Sequence, residues 1–571
     1  MTTKLKYIAG TLALFLATSC SDVLDKHDIN GVTQVFNDEA LSEAYLDKLY
    51  FDNLPAWTTA YSTQSDESPG GDAYMYGTLK IDDVGDFGAT NYTKIRAINT
   101  MFEELDKGGL PEDVTTSLKA QGYFLRASRY FDLVRLYGGV PMILNTQDPY
   151  TGTGDDLNVK REKASVCFDL IVADLDKGSV LPASWPAADR GRITRGAALA
   201  MKGRVLLYAA SPQFNPGGAD APWQAAYNAN RSAYDTLIRD GYALHSDFAK
   251  LWFTEANKEA IYVTTYNTTD FSNAWDRSTR PRSAGANAGG SNQPTLELVN
   301  SFPMNNGLPI TDPASGYDPL LYWKNRDPRF TATIAYNAMI WPLNNLPTRR
   351  QWTFNGNKWE DTNNTKTGFY CRKGISETYS ADAVEKSGTD WIEIRLAEVM
   401  LNLAECANAT GRQTEAMDML IALRKRAGIQ AGSDGNYGLK AGMSKDEMFE
   451  AIVTEREIEL AFEAKRYWDL RRWRMFGRLN GTSRTGLKIS LTSKVKDAAA
   501  FKTGVDNGTI VITDANYAEY FKHESVALDT KSVITFKDEY YFYAIPKTNI
   551  DKNPNLEQTI KWDGGTFDPL N

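Results

Sequence analysis

The sequence predicts an all-α protein in which a tetratricopeptide-like helical scaffold carries one long, loop-rich insertion. Three observations predict this class. Apolar residues recur at helical spacing in several segments, a helical hairpin near residue 400 has the length of one repeat, and residues 264–391 are rich in Gly, Asn, Pro and Thr. Because stacked hairpins extend a core by repetition, such an array also suits a chain of 571 residues.

The first residues predict export and lipid attachment. Lys4 and Lys6 precede a short apolar run, and the small residues Ala17-Thr18-Ser19 lead directly to Cys20. A charged start and a short apolar run are typical of a cleaved signal peptide, and the run is too short to span a bilayer comfortably. We predict that residues 1–19 are a lipoprotein signal peptide, that Cys20 is the lipid anchor, and that residues 20–571 form a single binding domain. The alternative is an ordinary secretory signal with an incidental Cys20.

The helices are predicted in chain order. A first helix lies around residues 40–46, and residues 52–90 then have the Gly-, Asp- and Ser-rich composition of a surface loop. Phe124, Ala127, Phe131 and Val134 share one face of a long helix, which Gly138-Gly139 ends.

The later helices carry clear start and stop signals. Thr194 is a candidate N-cap, and residues 393–428 read as a helical hairpin that ends at Gly428. Ser444 and Glu447 have the spacing of a capping box for the next helix.

Composition limits the possible partners and chemistry. A formal net charge of −9 makes nucleic acid a poor candidate. Cys167, Cys371 and Cys406 are widely spaced, so they are expected to be small buried hydrophobes rather than metal ligands or a disulfide framework. The sequence predicts no metal and no cofactor.

Catalytic motifs are weak. The three histidines, His27, His245 and His523, are isolated, which disfavours a zinc site or a Ser-His-Asp triad. Residues 481–488 lack the Gly-Lys pair of a phosphate-binding loop. A glycosidase needs only two acids at a set distance, and it stays an alternative function for this chain. The densest acidic run, Glu455, Glu459 and Glu463, predicts a structural ion network with interleaved cations, namely Arg456, Lys465, Arg466, Arg471 and Arg472.

Aromatic residues beside polar ones suggest carbohydrate recognition, in which a flat ring meets the apolar face of a sugar and planar polar groups bind its hydroxyls. The loop at residues 52–90 and the insertion both contain these residue types. The candidate ligand-binding residues are Asp66, Asp72, Tyr74, Tyr76, Trp275, Arg277, Trp341 and Arg372. The alternative is that most of these tryptophans pack beneath long loops.

Ten short motifs, in order, resemble the SusD/RagB family of cell-surface nutrient-binding lipoproteins. The resemblance covers nearly the whole mature chain, and the set is specific although no single motif is. The motifs are YTKIRAIN at 92–99, GYFLRA at 122–127, RLYGGVP at 135–141, GRITRGAA at 191–198, FPMNNG at 302–307, RDPR at 326–329, RLAE at 395–398, EAKRYWDLRRW at 463–473, IP at 545–546 and NPNL at 553–556.

The resemblance implies a non-catalytic tetratricopeptide-like protein that sits as a lid on a TonB-dependent, SusC-like transporter of the outer membrane. It implies capture of an oligosaccharide or polysaccharide at the cell surface. The RagB branch implies peptide capture as the alternative, and a surface glycosidase is a more distant one.

The resemblance also points to the site. The loop after Asp66-Glu67 implies Tyr74 or Tyr76 as one aromatic platform, and the start of the insertion implies Trp275 as a second. A third platform is usual before the helix that matches residues 295–302, but this chain has Gly289-Gly290-Ser291-Asn292 there. This departure implies a shorter or more polar site, with Arg277 and Arg372 selecting the sugar. The motif at 466–473 lies on a predicted helix and is interpreted as scaffold.

Overall fold

The computed structural model describes residues 35–571 except 86, 151, 286 and 357–364. The predicted signal peptide and Cys20 therefore lie outside the described residues. Within the described part, no helix is both long and apolar enough to cross a bilayer.

The described part of the chain is mainly helical and has only short strands, which confirms the predicted class. The described helices of seven or more residues are α1 (Glu39–Asn53), α2 (Ala89–Asp106), α3 (Glu112–Tyr137), α4 (Ala164–Lys177), α5 (Arg195–Ala210), α6 (Asp220–Arg239), α7 (Leu396–Ala409), α8 (Gln413–Ala427), α9 (Lys445–Glu459), α10 (Arg466–Arg472) and α11 (Ala498–Asp506).

These helices form a continuous stack. Helices α1 and α2 pack on α3, α3 packs on α4, and the order continues through α5, α6 and α7 to α8 and α9. Their apolar faces enclose one large core that runs through the array. Each hairpin buries its apolar face against its neighbours, as expected for a tetratricopeptide-like scaffold.

The predicted helix ends are confirmed. Gly138 caps α3 with φ 74°, and Gly428 caps α8 with φ 88°. At the start of α5, the Thr194 hydroxyl oxygen accepts from the Ala197 amide at 3.1 Å. Ser444 and Glu447 form the capping box of α9. One boundary differs from the prediction, because residues 393–395 belong to a strand and the hairpin begins at Leu396.

Six short strands form three antiparallel pairs in the described residues. Strand β1 (Ala260–Thr264) pairs with β4 (Trp391–Arg395), and β2 (Ile334–Ala335) pairs with β3 (Tyr370–Cys371). Strand β5 (Thr485–Leu491) pairs with β6 (Phe521–Ala527). The β1–β4 pair closes the base of the insertion, so residues 264–391 leave the scaffold and return to it at one place.

The insertion shares a second hydrophobic core with residues 458–521, and we call it the core of the insertion. Trp275, Phe302, Trp341 and Trp352 pack in it with apolar side chains from residues 458–521. These four rings are at most 2% exposed. The aromatic content of the insertion therefore serves mainly to fold it, as the packing alternative predicts. Cys167, Cys371 and Cys406 are also buried as free thiols, which confirms their expected burial.

A buried ion network joins the insertion to the scaffold. The Arg329 guanidinium pairs with Glu455 and Glu459 of α9, each at 2.7 Å, and Arg395 pairs with Glu459 at 2.6 Å and Glu463 at 2.8 Å. Burial alone would raise the pKa of Glu455, but Arg329 and a neighbouring arginine hold that pKa below its usual value. The predicted ion network is confirmed, but its main cations come from distant segments rather than from the neighbouring sequence.

Candidate ligand-binding cleft

Two segments that are far apart in sequence meet at an open cleft of about 500 Å³. We call it the polar cleft. One wall comes from the loop around residues 63–69, and the other comes from the insertion. It is lined by Thr63, Ser68, Pro69, Arg282, residues 289–293 and Lys366. Side chains with hydroxyl, amide, guanidinium and ammonium groups thus come together in the lining.

The first wall is held by Arg484, which is 2% exposed. Its guanidinium donates to the backbone carbonyl oxygens of Thr63 at 3.1 Å and Ser68 at 2.9 Å, and also to those of two neighbouring residues. The same guanidinium pairs with Asp529 at 2.6 Å. A planar cation with five donors can bind several carbonyl groups at once, so one side chain fixes the loop.

The loop is also tied to the scaffold by the Asp66-Glu67 pair. Arg466 at the start of α10 donates to both carboxylate oxygens of Asp66, at 2.9 and 2.7 Å. Burial would raise the pKa of Asp66, but Arg466 holds it below its usual value. Glu67 accepts from the Phe462 amide at 2.9 Å, and its other carboxyl oxygen has no hydrogen-bond partner in the described structure. Burial raises the pKa of Glu67 to about 8.

The second wall turns sharply at Gly289 and Gly290. A Cβ at Gly289 would lie 2.7 Å from the carbonyl oxygen of Ser278, and Gly290 has φ 63°. Asn292 also has positive φ, and its side chain joins the two walls by accepting from the Ser62 hydroxyl at 2.5 Å and donating to Thr279 at 3.0 Å. The tight turn explains why this chain has small residues where an aromatic platform was expected.

Four predicted site residues lie near the first wall but not in the cleft lining. Asp66 is 7% exposed and forms the structural ion pair described above. Asp72 is exposed and pairs with Lys531 at 2.8 Å. Tyr74 is 3% exposed, with its hydroxyl bound by Arg471 at 2.9 Å, so its ring cannot serve as an exposed platform. Tyr76 is half-buried and donates to Asp529 at 2.8 Å.

The two predicted tryptophans are buried. Trp275 is 2% exposed, stacks on Trp57 with ring centroids 4.4 Å apart, and donates to the Lys373 carbonyl oxygen at 3.1 Å. Trp341 has no exposed surface and lies in the core of the insertion. Neither ring offers a free face, so neither fits the predicted role of a stacking platform in this conformation. Both instead fill space that long loops leave between them.

The two predicted arginines are more accessible. Arg277 lies 3.3 Å from Glu385, and 41% of its side chain is exposed. Arg372 donates to Glu377 at 2.6 Å and to the Thr331 carbonyl oxygen at 2.8 Å. Neither lines the polar cleft. Their role in choosing a sugar stays a prediction.

The polar cleft contains residues that the sequence reasoning did not select. Gln293 and Lys366 line it, while Arg484 and Asn292 shape its walls. The departure from the family pattern at Gly289-Gly290-Ser291-Asn292 is a sequence signal that points to Asn292. Arg484 lies within the rejected phosphate-loop motif, and nothing local indicates that it binds a loop 400 residues earlier.

The cleft has few groups suited to catalysis. No Asp or Glu is among its described lining residues, and no group of three or more His, Cys, Asp or Glu in the described structure could hold a metal ion. Glu67 has a raised pKa, as a general acid requires, but it is 1% exposed and enclosed behind the loop. The geometry suits binding more than acid–base chemistry.

Comparisons with known proteins agree with this fold. The SusD-like protein P2 of Formosa agariphila is 25% identical over 390 residues, which cover 66% of this chain and 70% of that protein. A SusD-like carbohydrate-binding protein of Bacteroides fragilis has a similar structure, with a TM-score of 0.71, 22% identity, and coverage of 92% of this chain and 100% of that one. A laminarin-binding SusD-like protein has a TM-score of 0.61 at 19% identity, with 92% of this chain and 100% of that one covered.

Two family profiles match in consecutive parts of the chain. The profile described as starch-binding and associating with the outer membrane matches residues 20–207. The profile of the SusD family matches residues 251–562, which is more than half of the chain and includes the insertion, the ion network and both strands of the β5–β6 pair. The protein therefore belongs to the SusD family.

Proposed function

We propose that this protein captures an oligosaccharide or polysaccharide outside the cell and delivers it, without chemical change, to a SusC-like TonB-dependent transporter. The observation that carries the proposal is the meeting of two segments in one open polar cleft on a SusD-family scaffold. Solved relatives of the same fold that bind carbohydrate or laminarin support the choice of ligand class.

The lining of the polar cleft suits the hydroxyl groups of a sugar. The Gln293 side chain donates to the Gly290 carbonyl oxygen at 2.9 Å and accepts from the Lys366 amide at 2.8 Å, which leaves one amide N–H for a ligand, and Lys366 supplies an exposed ammonium group. The volume of about 500 Å³ lies in the range of roughly 300–1,000 Å³ usual for ligand sites. Arg484 fixes the loop that forms the first wall before any ligand arrives. This lowers the entropic cost of ordering the loop when a ligand binds.

The direct test is a binding screen of the soluble chain from residue 21 onward. Starch, laminarin and a panel of plant and algal polysaccharides are presented on an array, and each positive is measured by calorimetry. We expect saturable binding of at least one glycan. If the chain from residue 21 onward binds none of these glycans, although circular dichroism shows that it is folded, the proposal is contradicted.

The polar cleft is tested by two small truncations. We expect Gln293→Ala and Lys366→Ala each to weaken binding of the glycan found in the screen by roughly fivefold to tenfold, since each removes a hydrogen bond worth about 1 kcal/mol or more. Lys547→Ala is the matched control, because this exposed lysine pairs with Asp551 far from the lining residues. Equal affinities for all three variants would place the site elsewhere.

Peptide capture is the second candidate. No aromatic ring is among the described lining residues of the polar cleft, and such a polar cleft also suits a peptide backbone. A pool of random peptides run beside the glycan panel separates the two. Peptide binding that Gln293→Ala weakens, without any glycan binding, would favour this candidate.

Hydrolysis is tested in the same samples. Prolonged incubation of the protein with each bound glycan should yield no new reducing ends, because binding without turnover is proposed. A product that depends on the protein, and that disappears when a buried acid is replaced, would instead favour a glycosidase.

Membrane attachment and the transporter partner belong to the same proposal. The support for attachment is the sequence at Cys20, together with the outer-membrane association in the description of one matching profile. We expect Cys20→Ala to move the protein from the membrane fraction to the soluble fraction. We also expect the lipidated protein to co-purify with a TonB-dependent transporter, and recovery as a free protein in mild detergent would contradict this partner.

A further inference from the structure

A cavity of about 270 Å³ lies within the helical scaffold. We call it the scaffold cavity. Its walls come from α3, α5, α10, the β1–β4 pair and the segment at residues 54–61, which follows α1. Ala56 is exposed and belongs to the lining, which places the mouth of the cavity at this segment. The scaffold cavity shares no described lining residue with the polar cleft, so its ligand is a separate question.

The lining of the scaffold cavity is positively charged, although the whole chain has a formal net charge of −9. Burial and Arg129 together lower the pKa of the neighbouring Lys94 ammonium group, although Asp52 and Asp132 oppose this shift. An acidic protein thus encloses a cationic cavity. Its described lining contains five cations, Arg129, Arg135, Arg204, Arg456 and Lys465, and three carboxylates, Asp132, Glu393 and Glu398.

Most of these charges neutralise one another. Arg204 pairs with Glu393 at 2.6 Å and with Glu398 at 2.7 Å. Lys465 pairs with Glu393 at 3.0 Å, so these two cations balance the two glutamates. Arg456 pairs at 2.9 Å with a carboxylate of α10 that lies outside the lining. Three of the five cations are therefore compensated.

The other two cations, Arg129 and Arg135 of α3, have one carboxylate between them. Both pair with Asp132, at 3.0 and 2.5 Å. Each guanidinium also has a buried Nε atom without a hydrogen-bond partner in the described structure. The lining therefore holds one cation more than its carboxylates and their neighbours neutralise. Because a charge removed from water is costly unless it is paired, a bound anion would stabilise this arrangement.

Tyr262 of β1 adds an unused hydroxyl group to the same cavity. The residue is 4% exposed, and its hydroxyl has no hydrogen-bond partner in the described structure. Burial raises the pKa of Tyr262 and Arg129 lowers it, so the hydroxyl lies within electrostatic range of the surplus cation. A buried polar group without a partner costs free energy, which an acceptor on a ligand would recover.

We propose that the scaffold cavity binds a small molecule with one carboxylate group, which pairs with Arg129 and Arg135 and accepts a hydrogen bond from Tyr262. A guanidinium matches a carboxylate in charge and in planar shape. One surplus cation favours a single negative charge over a dianion such as phosphate. Phe131 and Trp468 in the lining offer apolar surface to the rest of the molecule. The volume is below the roughly 300–1,000 Å³ of sites for drug-sized ligands, so the ligand is small.

The test is calorimetry of the chain from residue 21 onward at constant ionic strength. The probes are acetate, benzoate and glucuronate, their neutral counterparts acetamide, benzamide and glucose, and the anions sulfate and phosphate. We expect saturable binding of at least one carboxylate and at least roughly tenfold weaker binding of its neutral counterpart, because the charge-assisted pair is lost. A disaccharide that carries glucuronate, measured beside glucuronate, shows whether the site accepts the carboxylate free or on a sugar chain. Either result supports the proposal.

Three variants locate the bound carboxylate. Arg129→Gln should weaken its binding roughly tenfold or more, and Tyr262→Phe, which keeps the ring, should weaken it roughly threefold to tenfold. Asp132→Asn should tighten binding, because it removes the carboxylate that competes with the ligand for the two arginines. Arg478→Gln is the matched control, since Arg478 also pairs with a carboxylate but is exposed and lies outside the lining.

The proposal is overturned if Arg129→Gln and Tyr262→Phe both bind the carboxylate as tightly as the Arg478→Gln control. If Arg129→Gln does not fold, Tyr262→Phe decides alone, because its hydroxyl has no described partner to lose. A folded wild-type protein that binds no carboxylate probe, or only sulfate or phosphate, also overturns it. Glycan capture is unaffected by that result, and a protein that binds a carboxylate here but no glycan overturns only the proposed function.

Discussion

The buried ion network and the polar cleft both contain cationic side chains, but they hold them in opposite environments. In the network, Arg395 is 1% exposed and surrounded by carboxylates, and every charge has a partner. In the cleft, Lys366 is exposed and Gln293 is half-buried. Charges removed from water must be paired to be tolerated, whereas groups that wait for a ligand must stay in contact with water.

This difference explains where the sequence signal lies. Three of the motifs that resemble the family, at 326–329, 395–398 and 463–473, supply Arg329, Arg395, Glu463 and Arg466 to buried ion pairs. The cleft lining is instead drawn from short, unremarkable stretches such as residues 289–293. These three motifs therefore mark the contact between scaffold and insertion, and the polar cleft lies beside that contact.

The largest effect should come from removing a cation of the network. We expect Arg395→Ala to lower the free energy of unfolding by about 3–5 kcal/mol, because Glu259, Glu459 and Glu463 would keep buried charges without this partner. Urea denaturation followed by circular dichroism measures it. Arg478→Ala is the control, since the Arg478–Glu450 pair is more than half exposed and should contribute less than about 1 kcal/mol. Similar losses of unfolding free energy in both variants would contradict the difference between buried and exposed ion pairs.

A comparable loss is expected in the core of the insertion. Trp341→Ala should cost about 3–5 kcal/mol through the cavity that it leaves, whereas Tyr150→Ala should cost little because Tyr150 is 95% exposed. Thermal unfolding of both variants measures this. If Trp341→Ala keeps full stability but loses glycan binding, Trp341 belongs to the site after all and its assignment to the core fails.

Glu67 makes stability depend on pH. Burial raises its pKa to about 8, so between the unfolded pKa near 4.5 and pH 8 the folded state holds a proton that the unfolded state has lost. Stability contributed by this group is therefore lost as pH rises through that window, by at most about 1.4 kcal/mol per pH unit. We expect Glu67→Gln to flatten the fall in the urea midpoint between pH 5 and 8. A wild-type midpoint that rises over this range more than that of the variant would contradict this assignment.

The smallest stability effect should come from the cleft. Lys366→Ala should change the free energy of unfolding by less than about 0.5 kcal/mol, because the side chain is exposed and has no buried partner to leave behind. The same variant is expected to lose affinity for glycan, as described above. If Lys366→Ala loses both stability and affinity, the cleft residue also stabilises the fold, which contradicts the difference between cleft and network.

The sequence by itself determined the helical scaffold. The spacing of Phe124, Phe131 and Val134, the caps at Thr194 and Ser444, and the stops at Gly138 and Gly428 all act within a few residues, so they can be read locally. The loop after Asp66-Glu67 and the residues near Gly289 do meet at the polar cleft.

Tertiary structure alone decided which side chains line the polar cleft and which fill the core. Tyr74, Trp275 and Trp341 were selected for their chemistry, yet burial depends on what distant segments place over them, here Arg471, Trp57 and the core of the insertion. Arg484 reaches a loop more than 400 residues earlier. Helical periodicity is a short-range property, but enclosure is a long-range one, and only the folded chain brings Arg484 to the carbonyl groups that shape the polar cleft.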